Sequence, residues 1–170
     1  MERTLVIMKP DTVQRGLVGE ILTRFEKVGL KIVGIKMVSP DYDHYHHHYE
    51  NISQMASRRG QKALDVTLEL MQSGPVIAVV LEGIEAVELV RKMAGTTEPK
   101  AALPGTIRGD YAHISLNHAN NRGIGIANII HASGNLEEAK QELEHWFSSD
   151  EIFDYETVHE KFTQPHKDKD

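Results

Sequence analysis

The sequence predicts an α/β sandwich in which helices cover a mainly antiparallel sheet. Short apolar, β-branched runs recur at Thr4–Met8, Lys31–Val38 and Val76–Leu81. Between them, apolar residues return at helical spacing, and Pro or Gly separates one kind of segment from the next.

The chain has 170 residues, which suits one compact unit over 1–162 followed by a charged tail, 163–170, expected to fray. Hydrophobic residues make up 40% and charged residues 26%, enough for a core without disulfides or a structural metal. No cysteine is present, which excludes a disulfide framework, a thiolate nucleophile and cysteine-ligated zinc, and is compatible with a reducing cytoplasm. The net charge of −6 argues against a dedicated nucleic-acid binder. It leaves room for a small anionic ligand, because a few convergent cations overcome a mildly acidic surface locally. The apolar run Leu5–Met8 is too short for a signal segment, and no stretch approaches the roughly 20 apolar residues that cross a bilayer.

Thr4–Met8 reads as a buried strand that stops at Lys9-Pro10-Asp11, where proline removes a ladder donor. Leu17, Val18, Ile21, Leu22, Phe25 and Val28 then share one helical face, with Gly29 as the stop. Lys31–Val38 is a second strand, broken at Pro40-Asp41. Tyr42–Tyr49 reads as a short helix, and Gln61–Gln72 as a longer one ended by Ser73-Gly74-Pro75. Val76–Leu81 is the clearest strand, and Ile84, Val87, Val90 and Met93 indicate a helix ending at Gly95. Thr96–Gly109, with two prolines and two glycines, reads as a long loop of the kind that often carries function. Tyr111–Leu116 alternates like a strand, His118–Gly125 is polar, and Ile126–Ile130 leads to His131. Asn135 and Glu138 fit a capping pattern before a last helix with Leu136, Ala139, Leu143, Trp146 and Phe147 as its apolar stripe.

His131 is the first candidate for chemistry, although a lone histidine is more often a packed or capping residue. Glu142 lies three residues after Ala139 and four before Trp146, so its carboxylate points inward with them or reaches solvent at the stripe's edge. Spacing alone leaves both open. An inward carboxylate needs a partner, and an imidazole would serve. Such a pair fixes the tautomer and keeps the second ring nitrogen's lone pair for attack. Lys9 at a strand end, Arg91 near a helix end and Arg108 in the loop 104–110 are each ordinary surface charges when taken singly. Together they would supply the charge-assisted bonds that a triphosphate requires. No Gly-x-x-x-x-Gly-Lys-Ser/Thr loop and no protein-kinase loop set is present, so any phosphoryl transfer here uses another design.

Three ordered segments carry a resemblance: Lys9-Pro10-Asp11 with 13–21, Pro104-Gly105-Thr106-Ile107-Arg108-Gly109-Asp110, and Asn128-Ile129-Ile130-His131-Ala132-Ser133. With them, from Thr4 to about Phe147, the sequence resembles nucleoside diphosphate kinases. The resemblance implies a ferredoxin-like fold on a four-stranded sheet. It also implies a cytoplasmic homo-oligomer, hexamer or tetramer, that exchanges phosphate between nucleoside triphosphates and diphosphates. His131 matches the phosphorylated nucleophile, Glu142 the glutamate that orients it, and Ser133 the serine beside it. Lys9, Tyr49, Arg91, Thr97, Arg108 and Asn128 match residues around the phosphates and sugar. Mg2+ would accompany the nucleotide rather than sit in a protein cage.

The segments 50–70 and 115–127 read as longer than is usual in that family, and no aromatic residue stands between Tyr49 and Tyr111 to support a base. His44 and His48 have a metal-compatible i, i+4 spacing, but without an evident third ligand the histidines 44–48 read as an exposed polar helix face. The competing reading is a nucleotide-binding regulatory module without turnover, which would be expected to lack His131, Lys9 or Arg108.

Overall fold

The structure is a computed structural model that describes residues 1–163, so the expected tail lies outside it except for Thr163. β1 (Glu2–Met8), β2 (Lys31–Val38), β3 (Val76–Gly83) and β4 (Ile130–Ala132) form one sheet in the order β2-β3-β1-β4. Every neighbouring pair is antiparallel. The helices are α1 (Pro10–Gln14), α2 (Val18–Lys27), α3 (Tyr42–His46), α4 (Met55–Arg59), α5 (Gln61–Met71), α6 (Ala86–Ala94), α7 (Ile107–Tyr111), α8 (Leu116–Arg122), α9 (Leu136–Trp146) and α10 (Glu160–Thr163). This is the α/β sandwich with an antiparallel sheet that the sequence predicts. Among the described residues no helix is long and apolar enough to cross a membrane.

The central strand β1 explains why its run is apolar without alternation. Leu5 and Ile7 join Tyr45, Tyr49, Leu64, Leu68 and Trp146 on one face. Val6 and Met8 join Ile21, Phe25, Val90 and Ile130 on the other. Both faces of the sheet are therefore covered, and each side chain of β1 from Leu5 to Met8 is fully buried. Gly29, at φ +88°, ends the turn after α2 in a conformation that costs other residues more.

Several expectations are corrected. Tyr111–Leu116 is not a strand: Tyr111 closes α7, and Leu116 opens α8 after a short extended link. Capping decides this, because Thr106 Oγ1 accepts from Gly109 N and Ser115 Oγ accepts from His118 N. The fourth strand is the three residues around His131, aligned by pairing with β1. The expected loop 96–109 holds a 3₁₀ turn at Pro99–Ala101 and the start of α7, and Arg108 is helical. Val28, Ile84 and Leu136, assigned to apolar stripes, are more than half exposed. α4 was not legible in the sequence.

The histidine cluster is also corrected. After α3 the chain winds into a π-helix, His47–Ile52, which rotates consecutive residues His48 and Tyr49 into the core. His44 stacks on His145 with ring centroids 3.9 Å apart, and His48 is fully buried. His44 and His48 are packed rather than solvated, while His47 stays exposed.

This packing makes stability depend on pH. Burial, and then His145, hold the His44 imidazole at about 4, below the ordinary 6.5. Burial also lowers His145, and it lowers His48 well below the usual range. Each group binds a proton more readily unfolded than folded, so its contribution is full above the ordinary value and is lost as pH falls toward the folded value. The urea midpoint is expected to drop on acidification from 6.5 toward about 4, and His44→Phe to flatten that drop. An identical slope in the variant would assign the acid sensitivity elsewhere.

Candidate active site

The antiparallel register of β4 on β1 places His131 opposite Ile7 and Ile130 opposite Met8. The residues just before β4 are held tightly. Ile129 has φ +74°, a strained conformation for a β-branched side chain that costs about 1–3 kcal/mol. Three contacts from the β1–α1 junction hold it there. Ile129 N donates to Asp11 Oδ2 at 3.1 Å, and its carbonyl accepts from Lys9 N at 3.0 Å and from the Thr12 hydroxyl. The Lys9-Pro10-Asp11 turn and the Asn128–His131 segment thus define each other's positions.

His131, Glu142 and Ser133 form one network. Glu142 Oε1 accepts from His131 Nε2 at 2.9 Å, and Oε2 accepts from Ser133 Oγ at 2.6 Å. Glu142 is fully buried, which resolves the open choice between an inward carboxylate and one at the stripe's edge. Because a carboxylate accepts, the imidazole proton sits on Nε2 and Nδ1 keeps its lone pair. His131 retains 14% side-chain exposure, and it lines a cavity of about 550 Å³.

The other sequence-selected residues line the same cavity, apart from Glu142 and Ser133 behind it. Lys9 Nζ donates to Asn128 Oδ1 at 2.7 Å, and Asn128 Nδ2 donates to the Thr97 carbonyl at 2.8 Å. Burial brings Lys9 down to about 8; Asp11 opposes the shift, while Arg108 and Arg59 add to it. Arg108 donates to the carbonyls of Asn128, Gly95 and Ile130 at 3.2, 2.8 and 2.8 Å, tying the end of α6 to the segment before His131. Those bonds leave two of its five N–H donors unused. Burial, with Arg91 and Arg59 nearby, lowers Arg108 to about 10, so it stays cationic at neutral pH. Arg91 is exposed at the cavity edge and reaches the Ser133 carbonyl at 3.5 Å. The Tyr49 ring stands edge-on to His131, 6.0 Å between centroids, and burial raises its phenol above the ordinary range.

Sequence reasoning missed three groups. Arg58 and Arg59 of α4 line the cavity, Arg58 paired with Glu138 at 2.9 Å and Arg59 reaching Thr97 Oγ1 at 3.4 Å. Asp11 stood in a recognised motif without an assigned role. His48 lies against His131, 4.4 Å between ring centroids. The signal for His48 was its place beside Tyr49, but only the π-helix turns both inward. With Met55 and Ile126, the lining contains apolar surface but, Tyr49 aside, no aromatic side chain among the described residues. Among the described residues Glu138 is its one carboxylate and already bonds Arg58, so a metal ion here would be held by an anionic ligand rather than a protein cage.

A family model for nucleoside diphosphate kinase matches residues 2–152. A nucleoside diphosphate kinase of Borreliella burgdorferi is 42% identical over 155 residues, covering 91% of this chain and 92% of that protein. One of Pyrococcus furiosus is 47% identical, covering 91% and 88%. A solved structure of the enzyme from Borrelia burgdorferi, a transition-state mimic with bound vanadate and ADP, matches with a TM-score of 0.91 at 42% identity and 94% coverage of both chains. The Halobacterium salinarum enzyme in complex with CDP matches with a TM-score of 0.81 at 38% identity, covering 96% and 99%.

The buried network makes one structural prediction. Ser133→Ala leaves Glu142 Oε2 without its donor, which is expected to lower folding stability by about 1–3 kcal/mol. Urea unfolding of the variant measures it, and an unchanged midpoint would show that Glu142 does not depend on this hydroxyl.

Proposed function

This chain belongs to the nucleoside diphosphate kinase family, a family of phosphotransferases, and from that premise we propose that it transfers phosphate through a covalent phosphohistidine at His131. The observation that carries the reading is the Glu142–His131 bond, which leaves Nδ1 unprotonated at the edge of a cation-lined cavity. A nucleoside triphosphate enters with its γ-phosphate at His131. Nδ1 attacks the γ-phosphorus, the bond to the β–γ bridging oxygen breaks, and the diphosphate leaves. A second diphosphate then attacks the phosphohistidine and regenerates free imidazole, which makes the kinetics ping-pong. The exchange is nearly thermoneutral, because equivalent anhydride bonds are broken and remade.

In this reading Lys9, Arg91 and Arg108 meet the phosphoryl oxygens and stabilise charge in the transition state. Thr97, Asn128 and Tyr49 position the phosphates and sugar. Mg2+ bound to the nucleotide would neutralise phosphate charge. The protein acts as one unit over 1–162 and assembles as a hexamer or tetramer. The edge strand β2, where Ile35 and Met37 are half exposed or more, suits a contact between copies.

Brief incubation with γ-labelled ATP is expected to leave an acid-labile label that GDP removes and that His131→Ala abolishes. No label would favour a regulatory module, and an acid-stable serine label would overturn the mechanism. Glu142→Gln should lower kcat by about 10²-fold or more. Activity should also fall on acidification, since a protonated imidazole has no lone pair for attack.

Lys9 supplies a second test. A bound phosphate favours its protonated form, so binding near pH 8, where the free lysine titrates, is expected to take up protons. Calorimetry in buffers of different ionisation enthalpy would detect this, together with a KM that rises at higher pH. Zero uptake would remove Lys9 from the phosphate site.

A further inference from the structure

His48 is a fully buried imidazole to which the transfer mechanism above gives no role. It packs edge-to-face on His131 at 4.4 Å between centroids and on Tyr49 at 4.6 Å. Its Nδ1 accepts from the Trp146 indole Nε1–H at 3.1 Å. The indole only donates, so Nδ1 must keep its lone pair and the single imidazole proton lies on Nε2. Nε2 has no hydrogen-bond partner among the described residues, and it lies 4.0 Å from Glu142 Oε1, the oxygen that accepts from His131.

His48, His131 and Glu142 bring their ligand atoms within 4.8 Å of one another, a grouping that invites a metal-site reading. The proton placement opposes it. Trp146 occupies the Nδ1 lone pair, Nε2 carries the proton, and Glu142 is already engaged by His131 and Ser133. A metal would have to displace all of these.

The same placement has a catalytic consequence. A second histidine beside a carboxylate would ordinarily take a proton and form a competing ion pair. Here the cationic form would need a proton on Nδ1, pointing at the indole N–H. Resting on the phosphohistidine reading, we propose that His48 is a positioning residue for the transfer step. Locked by Trp146 as a neutral Nε2–H tautomer, it turns an N–H dipole rather than a charge toward Glu142, which favours the ionised carboxylate without competing for its hydrogen bond to His131. The charged and titratable groups around it point the same way. His131, His145, His44 and Lys9 each disfavour a cationic His48, while Glu142, with Tyr49 beside the ring, is the group that would attract one.

The test uses the full-length protein and three variants. His48→Phe fills the space without an N–H, His48→Gln keeps an N–H that reaches toward Glu142, and Trp146→Phe removes the lock. His48→Phe is expected to lower kcat about tenfold, a smaller loss than that of Glu142→Gln, because the Nε2–H acts on the carboxylate across 4.0 Å without a hydrogen bond. Nucleotide KM should stay within about twofold, because the residue acts on the transfer step rather than on binding. His48→Gln should recover most of the rate. Trp146→Phe should move the acid loss of kcat toward neutral pH, as His48 becomes free to take a second proton. Nitrogen-15 spectra of the wild-type histidines should place the His48 proton on Nε2, a readout that survives even if a variant does not fold. A proton on Nδ1, a wild-type kcat in His48→Phe, or a loss shared by kcat and KM that Gln does not restore would each overturn the proposal. Wild-type protein that takes no acid-labile label would instead sink the phosphohistidine reading itself.

Discussion

Glu142 has no exposure to water, and an ionised carboxylate in that position requires donors on both oxygens. The rest of the centre follows from that requirement. Ser133 and His131 supply the two donors, and both belong to the segment at β4. Ser133 Oγ also accepts from Leu5 N at 3.2 Å, so the network reaches the middle strand of the sheet. A three-residue strand would be weak alone, and here its side chains bind α9 as its backbone binds β1. The geometry of His131 is thus set by two layers of the fold at once.

The opposite side of the cavity is organised by strain. Ile129 is held in a left-handed conformation by contacts with Lys9, Asp11 and Thr12. That twist turns Asn128 toward Lys9 and Thr97 while His131, three residues on, faces the cavity. Lys9 and Arg108 are held by neutral amide and carbonyl oxygens rather than by carboxylates. Their positive charge is therefore left for an anion, even though the whole chain carries −6. Local placement outweighs net charge, because fields from buried, close cations are screened far less than those of scattered surface carboxylates.

Patterns that are local in the chain were legible in the sequence. The apolar runs of β1, β2 and β3, the α2 stripe, the extent of α5 and the Asn135 cap all rest on neighbouring residues, and the structure contains them. The ordered motifs around Lys9, Arg108 and His131 also led to residues that share one cavity. The alternation at 111–116 misled because a strand is completed only by a partner, whereas the Thr106 and Ser115 caps act within a few residues. His44 and His48 misled because their packing is set by a π-helix and by α9, more than 90 residues away.

By itself, then, the sequence determined the fold class, the family resemblance and which residue types could meet a phosphate, because those depend on composition, short-range spacing and motif order. Tertiary structure decided the rest. It chose between an inward and a solvent-facing Glu142, made β4 out of the residues around His131, brought Arg58 and Arg59 to the cavity, and set His48 between Trp146 and His131. Each of these turns on contacts between residues far apart in the chain. Burial, register and hydrogen-bond partnership across such distances are settled only when the sheet closes and the helices pack on it.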